Sequence, residues 1–494
     1  VKYLLGIDIG SSSVKTAIIE INTGKLAATA FSPAEEMPIE APKTGFAEQD
    51  PDRWWQELQQ ALQKLRQQVP FQGDEVAAIG ISYQMHGLVC VDNAGQPLRP
   101  SIIWCDGRAV TYGNKAFEDL GHDFCLSNFL NSPGNFTASK LKWVKENEPG
   151  IYKKIHKIML PGDYIALRLT GEATTTVSGL SEGILWNFKT NTIASELLQY
   201  YGIDENRLST IVPTFGEQGR LTSEAAALLN LKAGTPVSYR AGDQPNNAYS
   251  LNVLQPGEVA ATAGTSGVVY GVTDKVEYDP QSRVNTFVHV SHTEAEPRYG
   301  ILLCVNGTGI LNSWCRKNFF ANASYADMNA AAAAIPPGAD GLSFFPFGNG
   351  AERVLENKDL GAQLQGLQFN RHHRGHVARA AQEGIVFSLQ YGMEIMQQMG
   401  MQLKNIRAGY ANMFLSEVFG SVFANTTGCT VELYNTDGAA GAARAAGVGA
   451  GIYPDFVSCF TGMNVIKKLE PEKALQDQYK DIYGQWKHRL QQQL

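Results

Sequence analysis

The stretch Leu4-Leu5-Gly6-Ile7-Asp8-Ile9-Gly10-Ser11-Ser12-Ser13-Val14-Lys15-Thr16-Ala17-Ile18-Ile19 decides how this chain reads. An apolar strand runs into a tight Gly/Ser turn, and a second apolar strand leaves it. A turn of this kind converges backbone N–H groups and hydroxyls on one point, where they can hold phosphate oxygens. The pattern returns in the second half as Glu258-Val259-Ala260-Ala261-Thr262-Ala263-Gly264-Thr265-Ser266-Gly267-Val268-Val269-Tyr270. One copy reads equally well as an ordinary hairpin turn, because glycine and serine favour turns anyway. Two copies, one per half and the first with Asp8 inside it, point to a duplicated fold with a nucleotide held between the halves.

The chain has 494 residues, room for two or three domains. A hydrophobic fraction of 44% and a net charge of −7 describe an ordinary globular protein and argue against a general nucleic-acid or anionic-membrane surface. No hydrophobic run reaches spanning length and the first residues enter a strand, so neither an anchor nor a signal peptide is expected, and the expected compartment is cytoplasmic. Seven scattered cysteines with no Cys-x-x-Cys fit free thiols in a reducing compartment, not zinc or disulfides. His372, His373 and His376 lie in a basic stretch read as a solvated loop.

Strands and helices alternate along both halves. Asp50 reads as an N-cap with Pro51 at the first helical position, opening an amphipathic helix to Val69. A strand over Val76–Ser82 leads into Gln84-Met85-His86-Gly87, and an apolar run from Thr235 leads into Ala241-Gly242-Asp243. The boundary falls near residues 245–257, giving domains 1–247 and 248–494. Helices are expected over 323–335, 376–400 and 438–448. The Asp437-Gly438-Ala439-Ala440-Gly441 stretch reads as a small-residue helix packed close against a neighbour, not as a dinucleotide loop. Leu475, Tyr479, Ile482, Trp486 and Leu490 share one face of a last helix, which packs back on the body, a homodimer contact being the alternative.

Phosphoryl transfer to a hydroxyl needs a phosphate cradle, a magnesium ion and a base near the acceptor oxygen. Asp8 and Asp243, each beside glycine at a strand end, are the carboxylates placed to serve the last two. No Walker A spacing is present.

Taken with Glu48-Gln49-Asp50-Pro51, Trp104-Cys105-Asp106-Gly107-Arg108, the segment Thr137–Trp143, and Ala362-Gln363-Leu364-Gln365-Gly366-Leu367 followed by His376 and Glu383, these motifs resemble the FGGY family of carbohydrate kinases over residues 3–450. The resemblance is strongest to its xylulose-kinase branch. It implies an α/β fold of two ribonuclease-H-like domains, as in the actin, Hsp70 and sugar-kinase superfamily, with an interdomain cleft. It implies a small-molecule sugar and ATP as partners, with Mg²⁺, and no nucleic acid or membrane. The implied reaction is transfer of the ATP γ-phosphoryl group to a ketopentose, D-xylulose first, with ribulose, ribitol, fuculose or glycerol as alternative acceptors. A nucleotide-dependent binding protein of the actin/Hsp70 kind is the alternative from another class.

Carried over residue by residue, the resemblance makes Asp243 the general base and Asp8 the magnesium residue, acting through water. Gly10, Ser11, Ser12, Ser13 and Lys15 meet the outer phosphates, and Gly264, Thr265 and Ser266 the inner ones. Gly309, Gly409 and Asn412 belong to the nucleotide site. Met85, His86, Asp243 and Gln244 line the sugar pocket. Three positions depart from the family pattern: Gln244 after the base, Asn135 before the first signature, and the Ala408-Gly409-Tyr410-Ala411-Asn412 run.

Overall fold

A computed structural model describes residues 2–321 and 323–494. The elements that carry the argument are, in chain order, β1 (Tyr3–Ile9), β2 (Val14–Glu20), β3 (Leu26–Ser32), α1 (Pro51–Gln68), β4 (Val76–Tyr83), α2 (Thr137–Asn147), α3 (Val177–Glu182), β5 (Val237–Gly242) and α4 (Asp243–Ser250). There follow β6 (Glu258–Ala263), β7 (Gly267–Thr273), β8 (Tyr299–Val305), α5 (Gly309–Phe319), α6 (Tyr325–Ala333), α7 (Arg374–Gln398), β9 (Asn405–Gly409), α8 (Glu417–Thr427), β10 (Val431–Tyr434), α9 (Gly438–Gly449), β11 (Val465–Leu469) and α10 (Lys473–Gln491).

The chain divides into two compact units. One is Val1–Asn252 with Phe287–Arg298 and Thr436–Met463; the other is Val253–Thr286 with Tyr299–Asn435 and Asn464–Leu494. The first sheet has the order β5–β4–β1–β2–β3, with β1, β2 and β3 antiparallel and β4 and β5 parallel to their neighbours. In the second unit, the strands lying wholly within it run β11–β10–β9–β6–β7–β8. Here β6, β7 and β8 are antiparallel, β9 and β10 add in parallel, and β11 closes the edge antiparallel. Strand for strand, β6 to β10 repeat the order and directions of β1 to β5, so the duplication read in the two turns extends to the whole sheet.

Local chemistry accounts for the elements. Asp50 caps α1 by accepting from the Asp52 N–H, and Pro51 begins the helix where its missing N–H is not needed. Trp54, Leu58, Leu62 and Leu65 bury its inner stripe against the first sheet. In the second unit α7 is buried along most of its length, and α10 packs Tyr479, Tyr483, Trp486 and Leu490 into the same core. The Trp486 indole donates to the Phe344 carbonyl at 2.9 Å and stacks on Phe345. The last helix thus packs back on its own unit. His376 departs from the expected solvated loop: it is buried in the first turn of α7, with Nε2 3.1 Å from Asp340 Oδ2. All seven cysteines are free, and Cys105 is exposed.

The structure differs from the two-block division at 247/248 in two segments. Residues 287–298 and 436–463 follow that boundary in sequence but pack with the first unit. The reason for the second return is steric. Gly6 and Gly80 sit side by side on β1 and β4, and α9 lies directly across them. A Cβ at Gly6 would come 1.8 Å from the Ala439 carbonyl oxygen, and one at Gly80 2.0 Å from that of Ala442. Only a helix of alanine and glycine meeting glycine on the strands allows so close an approach. Arg444, buried in α9, donates from its two terminal nitrogens to the carbonyls of Cys459, Thr461 and Gly24. No helix among the described residues is long and apolar enough to cross a membrane.

Candidate active site

The Gly/Ser turn at residues 10–13 is fixed by hydrogen bonds from its surroundings. Gly10 N–H donates to the Ser13 carbonyl at 3.0 Å, and strand register sets Asp8 opposite Lys15. Gln49 Nε2 donates to the Ser11 carbonyl at 2.7 Å. The Gln49 carbonyl oxygen in turn accepts from the buried Trp54 indole at 3.1 Å and from Gln84 at 3.2 Å. Met37 N–H donates to the Ser12 carbonyl, and Gln84 N–H to that of Ile9. Gln49 and Gln84, both in motifs read from the sequence, therefore hold the turn from behind. Trp104, half exposed, points its indole N–H at the Ser11 hydroxyl.

Asp8 near the end of β1 and Asp243 just past the end of β5 lie at the same edge of the first sheet, with β4 between their strands. Asp243 opens α4 directly after β5, with Gly242 at the cap. Burial, and then the neighbouring Asp8 carboxylate, raise the Asp243 carboxyl to about 7, against hydrogen bonds from the backbone and side chain of Gln244. Burial also raises Asp8; Lys15 and Ser82 oppose the rise and Asp437 adds to it. Gly438, first residue of α9, leaves room for the Asp8 carboxylate: a Cβ there would lie 2.6 Å from Oδ2. Among the described residues no three His, Cys, Asp or Glu side chains form a metal cage. The single carboxylate of Asp8 fits Mg²⁺ nonetheless, since that ion usually keeps waters and substrate phosphates as most of its ligands.

The segment read as sugar-binding adjoins Asp243. Met85 is buried against the Gly242 backbone, where a Cβ would meet its Cγ at 2.7 Å. The His86 ring lies edge-on to Phe136 at 4.8 Å and near Phe287 at 5.5 Å. Three further residues of this half-site, Phe136, Phe287 and Glu182, escaped the sequence reading, and Lys140 was present only as a member of the Thr137–Trp143 motif. Phe287 could not be found by adjacency, since it enters the first unit from 44 residues beyond Asp243 in the numbering. Its strand is anchored by Ser178 Oγ donating to the Val288 carbonyl and by Val288 N–H donating to Ser181 Oγ, each at 3.0 Å.

The second unit builds its own half-site. Turn 264–266 joins β6 to β7, and the first turn of α5 docks on it: Gly309 N–H donates to the Gly264 carbonyl at 2.9 Å, and Ile310 N–H to that of Thr265 at 3.2 Å. A Cβ at Gly309 would lie 2.1 Å from the Gly264 oxygen, so glycine is the residue that fits there. A cavity of 470 Å³ opens beside the turn, lined by Gly264, Thr265, Gly309 and Asn412 of the expected set. Ser266 stays in the turn and Gly409 ends β9, and neither lines the cavity. Asn312, Ser313 and Asn329 do line it. Asn312 and Ser313 follow Gly309 by one helical turn, the spacing that puts them on its face. The loop feeding α5 is fixed by Glu352, which accepts from Asn306 N–H at 3.0 Å and Gly307 N–H at 3.2 Å.

The chain is similar to known proteins over nearly its whole length. The N-terminal domain of the FGGY family of carbohydrate kinases matches residues 3–249, and its C-terminal domain matches 259–450. A xylulose kinase of Bacillus subtilis (strain 168) is 29% identical over 98% of this chain and 97% of its own. A solved xyloylose kinase from Brucella ovis is 26% identical with a TM-score of 0.88, over 99% of this chain and 98% of its own. The ligand-bound xylulose kinase from Lactobacillus acidophilus has a TM-score of 0.89 at 23% identity, over 99% of this chain and 97% of its own, a likeness of fold. The two family models together span most of the sequence, and this chain belongs to the FGGY family of carbohydrate kinases.

Proposed function

We propose that this carbohydrate kinase transfers the γ-phosphoryl group of ATP to a ketopentose, converting D-xylulose to D-xylulose 5-phosphate. The observation that carries the reading is the Asp243 carboxyl. It lies beside Asp8 and next to the Met85–His86 segment, with a pKa raised to about 7. A base poised near the working pH is effective in taking a hydroxyl proton. The names of the relatives matched over nearly the whole chain support xylulose as the acceptor.

In this reading Met85, His86 and Gln244 orient the ketose so that one hydroxyl faces Asp243. That oxygen attacks the γ-phosphorus as the bond to the β-phosphate oxygen breaks. The hydroxyl proton passes to Asp243 and ADP leaves. Gly10, Ser11, Ser12, Ser13 and Lys15 hold the outer phosphates; Gly264, Thr265 and Ser266 hold the inner ones. Gly309, Gly409 and Asn412 serve the nucleoside end, with Asn312 and Ser313 beside them. Mg²⁺, held through Asp8, supplies charge neutralisation at the phosphates. The domains 1–247 and 248–494 are proposed as the sugar side and the nucleotide side, segments 287–298 and 436–463 packing with the first.

A coupled ADP-release assay across ketoses, aldoses and polyols tests the acceptor. D-xylulose is expected to give the highest kcat/KM. A higher value for glycerol, ribitol or an aldose would overturn the ketopentose assignment.

A further inference from the structure

His86 is held by an arrangement that ordinary packing does not require. Its backbone φ is +62°, in the left-handed region that a side chain with a Cβ disfavours. Both ends of the residue are gripped by buried ionisable side chains. Its N–H donates to Glu182 Oε2 at 2.9 Å, and its carbonyl accepts from Lys140 Nζ at 2.7 Å. Its ring Nδ1 lies 2.9 Å from the Glu182 backbone carbonyl. A carbonyl only accepts, so Nδ1 carries the proton and the ring is held in that tautomer.

The two gripping groups are exposed by 1% (Glu182) and 0% (Lys140). Glu182 Oε1 also accepts from the Tyr83 hydroxyl at 2.6 Å and lies against Gly242, the residue before Asp243. Lys140 Nζ also donates to the Ile103 carbonyl at 3.1 Å, directly before Trp104. Burial lowers the Lys140 ammonium to about 7 and raises the Glu182 carboxyl well above its usual range. A buried ammonium is a costly way to stabilise a fold, and a well-packed apolar residue usually serves as well. Here one of its carbonyl partners is that of His86 itself, and the other, of Ile103, comes directly before Trp104, whose indole reaches the Ser11 hydroxyl.

We propose that Glu182 and Lys140 are positioning residues that clamp His86 in its left-handed conformation and single tautomer, and so set its grip on the acceptor sugar. The inference rests on the reading of His86 as a sugar-pocket residue. It assigns neither side chain to the chemistry itself.

The test is a double-mutant cycle. Lys140→Met and Glu182→Gln are each made in the wild-type and His86→Ala backgrounds, with thermal unfolding to confirm folding and with KM for D-xylulose and for ATP measured separately. In the wild-type background each should raise the xylulose KM about tenfold, the scale of one hydrogen bond to a charged group, and leave the ATP KM unchanged. In the His86→Ala background that rise should vanish, because the clamped residue is gone. An unmoved xylulose KM in a folded variant, or the same rise in both backgrounds, would overturn the clamp. ¹⁵N spectra of the imidazole in the unsubstituted protein need no variant. They should show the Nδ1-protonated tautomer, and a ring protonated at Nε2 would also defeat the proposal. If His86→Ala by itself leaves the xylulose KM in place, the sugar-pocket reading fails, an outcome distinct from failure of the clamp alone.

Discussion

At the scale of single residues, the proposed reaction turns on how burial and the neighbouring Asp8 set the charge of Asp243. A carboxyl raised to about 7 is protonated, and unable to accept a proton, below that pH. The kcat/KM for the sugar should therefore climb as pH rises through about 7 and then level. Asp243→Asn keeps the shape but removes the acceptor, and kcat should fall about 10²–10⁴-fold. Stability moves the other way. With its pKa raised in the folded chain, the neutral Asp243 contributes stability at low pH that is lost as pH rises through about 7. Asp243→Asn does not undergo that loss, so the Tm difference in favour of the variant should be larger at pH 8 than at pH 5. Asp8→Ala tests the other carboxylate. It should fold normally yet require far more Mg²⁺ for residual turnover, and an unchanged magnesium titration would remove Asp8 from that role.

At the scale of elements, glycine serves opposite ends in different places. On β4, Gly80 exists to let α9 sit on the strand, and a Cβ would lie 2.0 Å from a backbone oxygen that cannot move alone. Gly80→Ala should therefore cost about 1–3 kcal/mol or more in urea unfolding, the range of overpacked cores. On α10, Gly484 has nothing within 4 Å of its would-be Cβ. Alanine there should stabilise the protein by about 0.5–1 kcal/mol, because glycine in a helix interior loses more conformational freedom on folding. Comparable effects of the two substitutions, in sign and size, would refute the close seating of α9. The same close seating explains how helix interior glycines at 441 and 447 are tolerated: a Cβ on Gly441 would strike Ser250, and one on Gly447 would strike Tyr453 and Leu4.

At the scale of the whole molecule, the first unit is completed by chain that comes after most of the second. A fragment of residues 1–252 lacks α9, and with it the buried Ala439, Ala440, Ala442 and Ala443 that cover β1 and β4. Such a fragment should fail to unfold cooperatively on heating, and supplying residues 436–463, fused or in trans, should restore a transition. A cooperative transition for 1–252 alone would show that α9 is dispensable. The duplicated hairpins, the Asp8 and Asp243 strand ends, the Asp50 cap and the small-residue helix were all legible in the sequence, because each follows from local rules of turn, cap and periodicity that neighbours along the chain decide. Gln49 and Gln84 were visible as motif members, without their part in bracing the turn at residues 10–13. Which unit takes residues 287–298 and 436–463, the arrival of Phe287 beside His86, the grip of Glu182 and Lys140 on its backbone, and the absence of Gly409 and Ser266 from the cavity lining came only with the tertiary structure. Those features depend on which distant backbones can approach within contact and on what a buried charge finds as its partner, and neither is written in the spacing of residues along a chain.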